Sequence, residues 1–185
     1  MKKVAFVLAL LLILTAPAVV LAGDGAAPRN TRFALGYHLN NFRHDFGFGL
    51  NVTSPYFFND RVAVRFSVNA AYFDGIPAGQ TEDEWMPYAI YKLGLVGVGS
   101  AVNDRVRLYG EGGVMYIVPN RLFSEENCFG GYGYFGFEFF MTENHPLSYF
   151  IELGSVGSKA RAEKIEDKPL YVNGFATTVG LRYHF

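Results

Sequence analysis

The chain has 185 residues and a formal net charge of −1; it is 17% aromatic but only 18% charged, below the ~25% of ordinary soluble domains. This balance excludes a basic nucleic-acid binder, and the single cysteine, Cys128, excludes an internal disulfide. Beyond residue 22 no apolar run approaches the ~20 residues of a spanning helix, so a membrane protein built from this chain has to be a closed barrel.

The first residues, "MKK", are a short cationic leader. An apolar run over 4–14, then Thr15, Ala16, Pro17 and the exit "VVLA", complete the pattern of a secretory signal peptide over 1–22, cut after Ala22. The run is short for a transmembrane anchor and Pro17 sits near its end. Residues 23–30 form a short tail, and 31–185 form one domain. Loss of Lys2 and Lys3 takes the net charge from −1 to about −3.

Eight segments then alternate with a period of two, the pattern of strands with one apolar and one polar or small face. Over 31–42, Phe33, Leu35, Tyr37 and Leu39 oppose Arg32, Ala34, Gly36, His38 and Asn40. Over 46–57, Phe46, Phe48, Leu50 and Val52 oppose Gly47, Gly49, Asn51 and Thr53. Over 61–73, Val62, Val64, Phe66, Val68 and Tyr72 oppose Arg61, Ala63, Arg65, Ser67 and Asn69. The fourth, 85–102, groups Tyr91, Leu93 and Leu95 but puts Val96 and Val98 on the other face, which a bulge near 95–97 would repair.

The fifth, 105–118, sets Val106, Leu108, Val114 and Tyr116 against Arg107, Tyr109, Glu111 and Met115. The sixth, 128–141, sets Phe135, Phe137 and Phe139 against Tyr134, Gly136 and Glu138. The seventh, 148–159, sets Tyr149, Ile151 and Leu153 against Phe150, Glu152 and Gly154. The eighth, "GFATTVGLRYHF", sets Phe175, Thr177, Val179, Leu181, Tyr183 and Phe185 against Gly174, Ala176, Thr178, Gly180, Arg182 and His184. Alternation over ~10 residues suits a tilted strand crossing a bilayer.

The connections differ in length by end. "FNDR" and "VNDR" are tight turns and "MTENHPLS" is somewhat longer. "DGIPAGQTEDEW", "VPNRLFSEEN" and "SKARAEKIEDKPL" on the opposite end are long, while "NNFRHD" is short. Short periplasmic turns and longer outer loops are the outer-membrane rhythm, and an even strand number puts both termini in the periplasm. Aromatic residues gather near both strand ends, as interfacial girdles do.

The terminal "GLRYHF" resembles the C-terminal aromatic signal by which outer-membrane barrels are recognised for assembly, through Leu181, Tyr183 and Phe185. The runs "YFGFEFFMTENHPLSYFIELG" and "VGLRYHF" resemble the last hairpin and strand of small OmpA-like or opacity-type outer-membrane proteins. The resemblance spans the whole mature chain. It implies an all-β, eight-stranded antiparallel up-and-down transmembrane barrel in the bacterial outer membrane, with lipid, lipopolysaccharide and the barrel-assembly machinery as partners. It implies no cofactor, metal or catalytic residue, and at Phe185 no periplasmic peptidoglycan-binding domain follows.

The polar phase carries Arg32, Arg65, Lys92, Arg107, Glu111, Glu138, Glu152 and Arg182. An Arg or Lys facing lipid at the midplane costs about 2–4 kcal/mol, so these residues are expected inside, paired with one another and filling the lumen. Eight strands leave a bore just wide enough for side chains or one small ligand. The expected role is therefore structural or surface-interacting. The alternative is a narrow channel, or an OmpW-like uptake barrel for small or hydrophobic solutes.

A lipid A-modifying enzyme is less favoured. His38 and His184 sit at different depths, His44 and His145 in connections, and the adjacent His–Ser pair of lipid A deacylase barrels is absent. A soluble lipocalin-like binder would reverse the faces. Asp74, Glu82, Asp83 and Glu84 lack the spacing of a calcium loop. Lys159, Arg161, Lys164 and Lys168 crowd the last long loop, where lipopolysaccharide phosphates are a candidate contact, diluted by Glu163, Glu166 and Asp167.

Overall fold

The computed structural model describes residues 32–42, 45–77, 80–103, 105–141 and 145–185, without the side chains of 100–103. The expected signal peptide, tail and Thr31 lie outside the described residues. Eight strands follow one another in chain order: β1 (Ala34–Phe42), β2 (Asp45–Thr53), β3 (Val62–Gly75), β4 (Glu84–Asn103), β5 (Val106–Val118), β6 (Cys128–Phe140), β7 (Leu147–Ser158) and β8 (Gly174–His184). Each pairs antiparallel with the next, and β8 returns to pair with β1, Arg182 opposite Gly36, so the sheet closes. Closure removes the free edges that an open sheet would leave.

The period of two decides the faces. Leu35, Leu50, Phe66, Leu93, Val114, Phe135, Ile151 and Leu181, one from each strand, are exposed on the outside. Arg65, Lys92, Glu111, Glu138, Glu152 and Arg182 are buried inside. The bore is filled by setting large side chains against glycine on the neighbouring strand. Tyr109 lies opposite Gly136 and Phe150 opposite Gly180; a Cβ on either glycine would run into the facing ring. Such alternation lets rings from adjacent strands overlap without voids.

Two features depart from the sequence reading. No bulge interrupts β4 at 95–97: Ala63 pairs with Val96 and Val64 with Leu95 in unbroken register. Val96 points inward and is fully buried with Ala63 and Tyr109, while the register breaks instead between Val98 and Asn103. Second, the loop 159–173, read from its sequence for its charges alone, also buries apolar residues. Ala160, Ala162, Ile165, Tyr171 and Val172 are buried with Phe73, Met86, Tyr88, Met115 and Phe123 in one apolar cluster at the loop end of the barrel.

At the opposite end the β2–β3 turn is tight, bridged Phe57 to Val62, with Phe58, Asn59 and Asp60 at φ of 51°, 57° and 59°. Asn and Asp tolerate that conformation better than most residues.

Candidate functional site

The lumen contains three layers along the barrel axis. Nearest the turn end is a charged layer. On β3, Arg65 donates through Nε to Thr53 Oγ1 at 2.9 Å and through Nη1 to Glu152 Oε1 at 2.9 Å, and it also pairs with Glu111. Gly94, the partner of Arg65 on β4, leaves room for the Tyr132 hydroxyl, which a Cβ there would strike. Tyr132 donates to Glu111 Oε1 at 2.9 Å and Tyr109 to Glu152 Oε1 at 2.6 Å.

A second knot forms around Glu138, whose side chain is 0% exposed. Arg107, directly opposite it on β5, approaches at 3.5 Å, and Arg182 Nη1 at 3.0 Å. Ser148 donates to Glu138 Oε1 at 2.7 Å, and His184 Nε2 lies 3.0 Å from the same oxygen. Arg182 Nη2 stands 3.8 Å from Glu152 and so links the two knots. Its guanidinium carbon lies 4.2 Å from the Phe150 ring centroid, a desolvated cation–π geometry.

Six of the eight expected lumen charges thus meet: Arg65, Arg107, Glu111, Glu138, Glu152 and Arg182. Two do not join them. Lys92 is buried, but its ammonium lies 5.0–5.9 Å from the ring centroids of Tyr134, Tyr132 and Phe42, and among the described residues no carboxylate stands within ion-pair distance. Arg32, half-buried ahead of β1, makes no ion pair among the described residues.

The middle layer is a network of amides around His38. Asn51 Nδ2 donates to His38 Nδ1 at 3.1 Å, which leaves the proton on Nε2 for Asn69 Oδ1 at 2.6 Å. Asn40 Nδ2 donates to the same oxygen at 2.6 Å. This arrangement holds His38 as a neutral tautomer.

The layer at the loop end is the apolar cluster, which sequence reasoning missed. Phe123 meets Tyr171 and Phe73 with centroids 5.1 Å apart in each case, and Tyr88 meets Tyr171 at 5.4 Å. Burial pushes the Tyr171 phenol up to about 12. The available signal was the apolar inward phase of Met86, Tyr88 and Ile90 above Lys92, which demands an apolar lid.

Ser148, His184 and Glu138 make an acid–base group by composition only. The imidazole faces both partners through Nε2, at 3.2 Å and 3.0 Å, so no second ring nitrogen is oriented by the acid as nucleophile activation requires. Among the described residues no cluster of three or more metal-ligating side chains occurs.

In the loops, Lys164 Nζ donates to Glu125 Oε1 at 2.6 Å and to the Arg121 carbonyl at 2.9 Å. The hydrogen bond from Lys164 holds the Glu125 carboxyl below its ordinary range. Lys159, Arg161 and Lys168 are exposed. In β8, Leu181 is exposed and Tyr183 half-buried; the Phe185 ring beyond them is exposed and lies 5.2 Å from Tyr183.

The N-terminal β-barrel domain of Pseudomonas aeruginosa OprF matches over 84% of this chain and 98% of its own, at 12% identity and a TM-score of 0.59. The fold is that of a small outer-membrane β-barrel. Yersinia pestis Ail in a phospholipid bilayer nanodisc also aligns, over 84% of this chain and 99% of its own, at 17% identity and a TM-score of 0.49. No family model and no curated protein matches.

Proposed function

We propose that the chain is an outer-membrane barrel with a structural or surface-interacting role, both termini in the periplasm, and a lumen closed by its own side chains. The observation that carries this reading is the segregation of faces: each of the eight strands turns large apolar residues outward, while Glu138 at 0% exposure is surrounded by Arg107, Arg182 and His184. An uncompensated charge in that position costs several kcal/mol, and the surrounding pairs offset that cost. The apolar cluster around Phe123 and Tyr171 adds a second closure.

On this reading the partners are outer-membrane lipid and lipopolysaccharide. Lys159, Arg161 and Lys168 are the basic residues best exposed to phosphate, since Lys164 is engaged by Glu125. Leu181, Tyr183 and Phe185 present the terminal strand to the assembly machinery. No catalytic role is assigned, in keeping with the shared use of Nε2 by Ser148 and Glu138.

The test is refolded protein in a planar lipid bilayer. A heat-shifted gel band with no stable conductance is expected. Large, long-lived openings would contradict the closed lumen and favour the channel reading.

A further inference from the structure

At the loop end the top of β4 stands clear of β5. β3 and β4 stay paired up to Gly75 opposite Glu84, but β4 and β5 pair only as far as Ala89 opposite Val118. Residues 84–88 of β4 therefore have no partner on the β5 side. Two prolines flank the gap, Pro87 on β4 and Pro119 just past β5, and neither has an N–H with which to extend the ladder. Between them lies a cleft of about 540 Å³ lined by Pro87, Tyr88, Ala89, Val118, Pro119 and Asn120, with Arg121 at the rim. It is open to the outside over most of its surface, a shallow groove and not an enclosed pocket.

The cleft continues the outward apolar surface upward from Tyr91, Leu93 and Val114. Its upper end is cationic. Leu122 N donates to Asn120 Oδ1 at 3.0 Å and Phe123 N to Asn120 O at 3.1 Å, a turn that sends Phe123 into the apolar cluster and leaves Arg121 exposed. Arg121 has no ion pair among the described residues, because the nearby Glu125 is taken by Lys164. An open apolar groove in a lipid-facing wall with an exposed guanidinium at the headgroup end matches an acylated anion. A peptide strand fits less well, since Pro87 interrupts the edge it would pair with.

We propose that the β4–β5 cleft seats one acyl chain of an anionic lipid of the surrounding leaflet, with its headgroup on Arg121. The proposal rests on the outer-membrane reading above. Trp85 is the chain's single tryptophan and lies on the outward face of β4 beside the cleft, so it reports occupancy by fluorescence.

The experiment titrates brominated phosphatidylglycerol or brominated phosphatidylcholine into protein folded in non-ionic detergent. Quenching by phosphatidylglycerol should saturate. Arg121→Gln should raise its half-saturating concentration about fivefold, the worth of one cation near an anionic headgroup, and leave phosphatidylcholine unchanged. Filling the slot, by Ala89→Phe or from the other wall by Val118→Phe, should leave only a linear collisional component for both lipids.

Quenching that is linear for both lipids in the native chain, or saturation that survives Arg121→Gln and slot filling, would overturn the proposal. So would protection of the cleft by an added peptide but not by lipid. Loss of the heat-shifted band in the native chain is a separate outcome, and it would overturn the outer-membrane reading instead.

Discussion

Arg65 on β3 and Glu152 on β7 meet across the bore, Nη1 to Oε1 at 2.9 Å, with four strand-to-strand interfaces between them along the sheet. This contact ties opposite walls of the cylinder together, and the Arg182 to Glu138 pair below it joins β8 to β6 across β7. Both pairs are almost wholly removed from solvent, with side-chain exposures of 5% or less.

Breaking such a pair by removing one partner leaves a buried charge. Glu138→Ala, which strands Arg107, Arg182 and His184, should destabilise the barrel by about 3–5 kcal/mol. Denaturant titration of the refolded protein measures this. A double-mutant cycle with Arg182→Met should return a coupling of about 1–3 kcal/mol.

The glycine packing makes a paired prediction. A Cβ on Gly154 would drive into the Gly133 carbonyl and the Tyr134 ring, whereas Gly157 has nothing within 4 Å. Gly154→Ala should cost about 1–3 kcal/mol, the usual penalty of overpacking, and Gly157→Ala should change little. The same denaturation assay reads both.

The loop pair gives a pH dependence with a definite sign. The hydrogen bond from Lys164 lowers the Glu125 pKa in the folded chain. Its contribution is therefore complete above the unfolded-chain value and fades as pH falls through the folded one. A carboxyl NMR titration should place Glu125 below the ordinary ~4.3. Lys164→Met should return it there, with little effect on global stability, as for exposed pairs in general.

The apolar cluster should act as the second closure. Phe123→Ala with Tyr171→Ala removes two rings whose centroids stand 5.1 Å apart. In planar bilayers this variant should stay closed while the charged layer is intact, and conduct only when Glu111→Gln and Glu152→Gln are added. Conductance from the loop substitutions alone would mean that the ion pairs do not seal the bore.

Strand positions and faces were legible because period two is a local property: Phe33 to Leu39 or Phe135 to Phe139 reads the same in any context. What each inward charge touches is not local. Arg65 and Lys92 have the same phase, yet one finds two carboxylates, from β5 and β7, and the other three rings, from β1 and β6. Val96 misled because an inward apolar residue breaks the polar-inside rule, although Tyr109 and Ala63 provide it an apolar niche. The loop 159–173 hid its role because its buried residues, Ala160, Ala162, Ile165, Tyr171 and Val172, follow no regular period and stand among charges.

The account stands most directly on which face meets lipid. Nitroxide labels placed singly at Val64, Phe66 and Val68, with Ser67 and Asn69 as inward counterparts, in a Cys128→Ser background and in bilayers, measure this by collision with oxygen and with a water-soluble nickel chelate. The outward three should be relaxed strongly by oxygen and weakly by nickel, and the inward two should be shielded from both. Strong nickel relaxation at Phe66 and Val68 would place the oily rows in water and contradict the account.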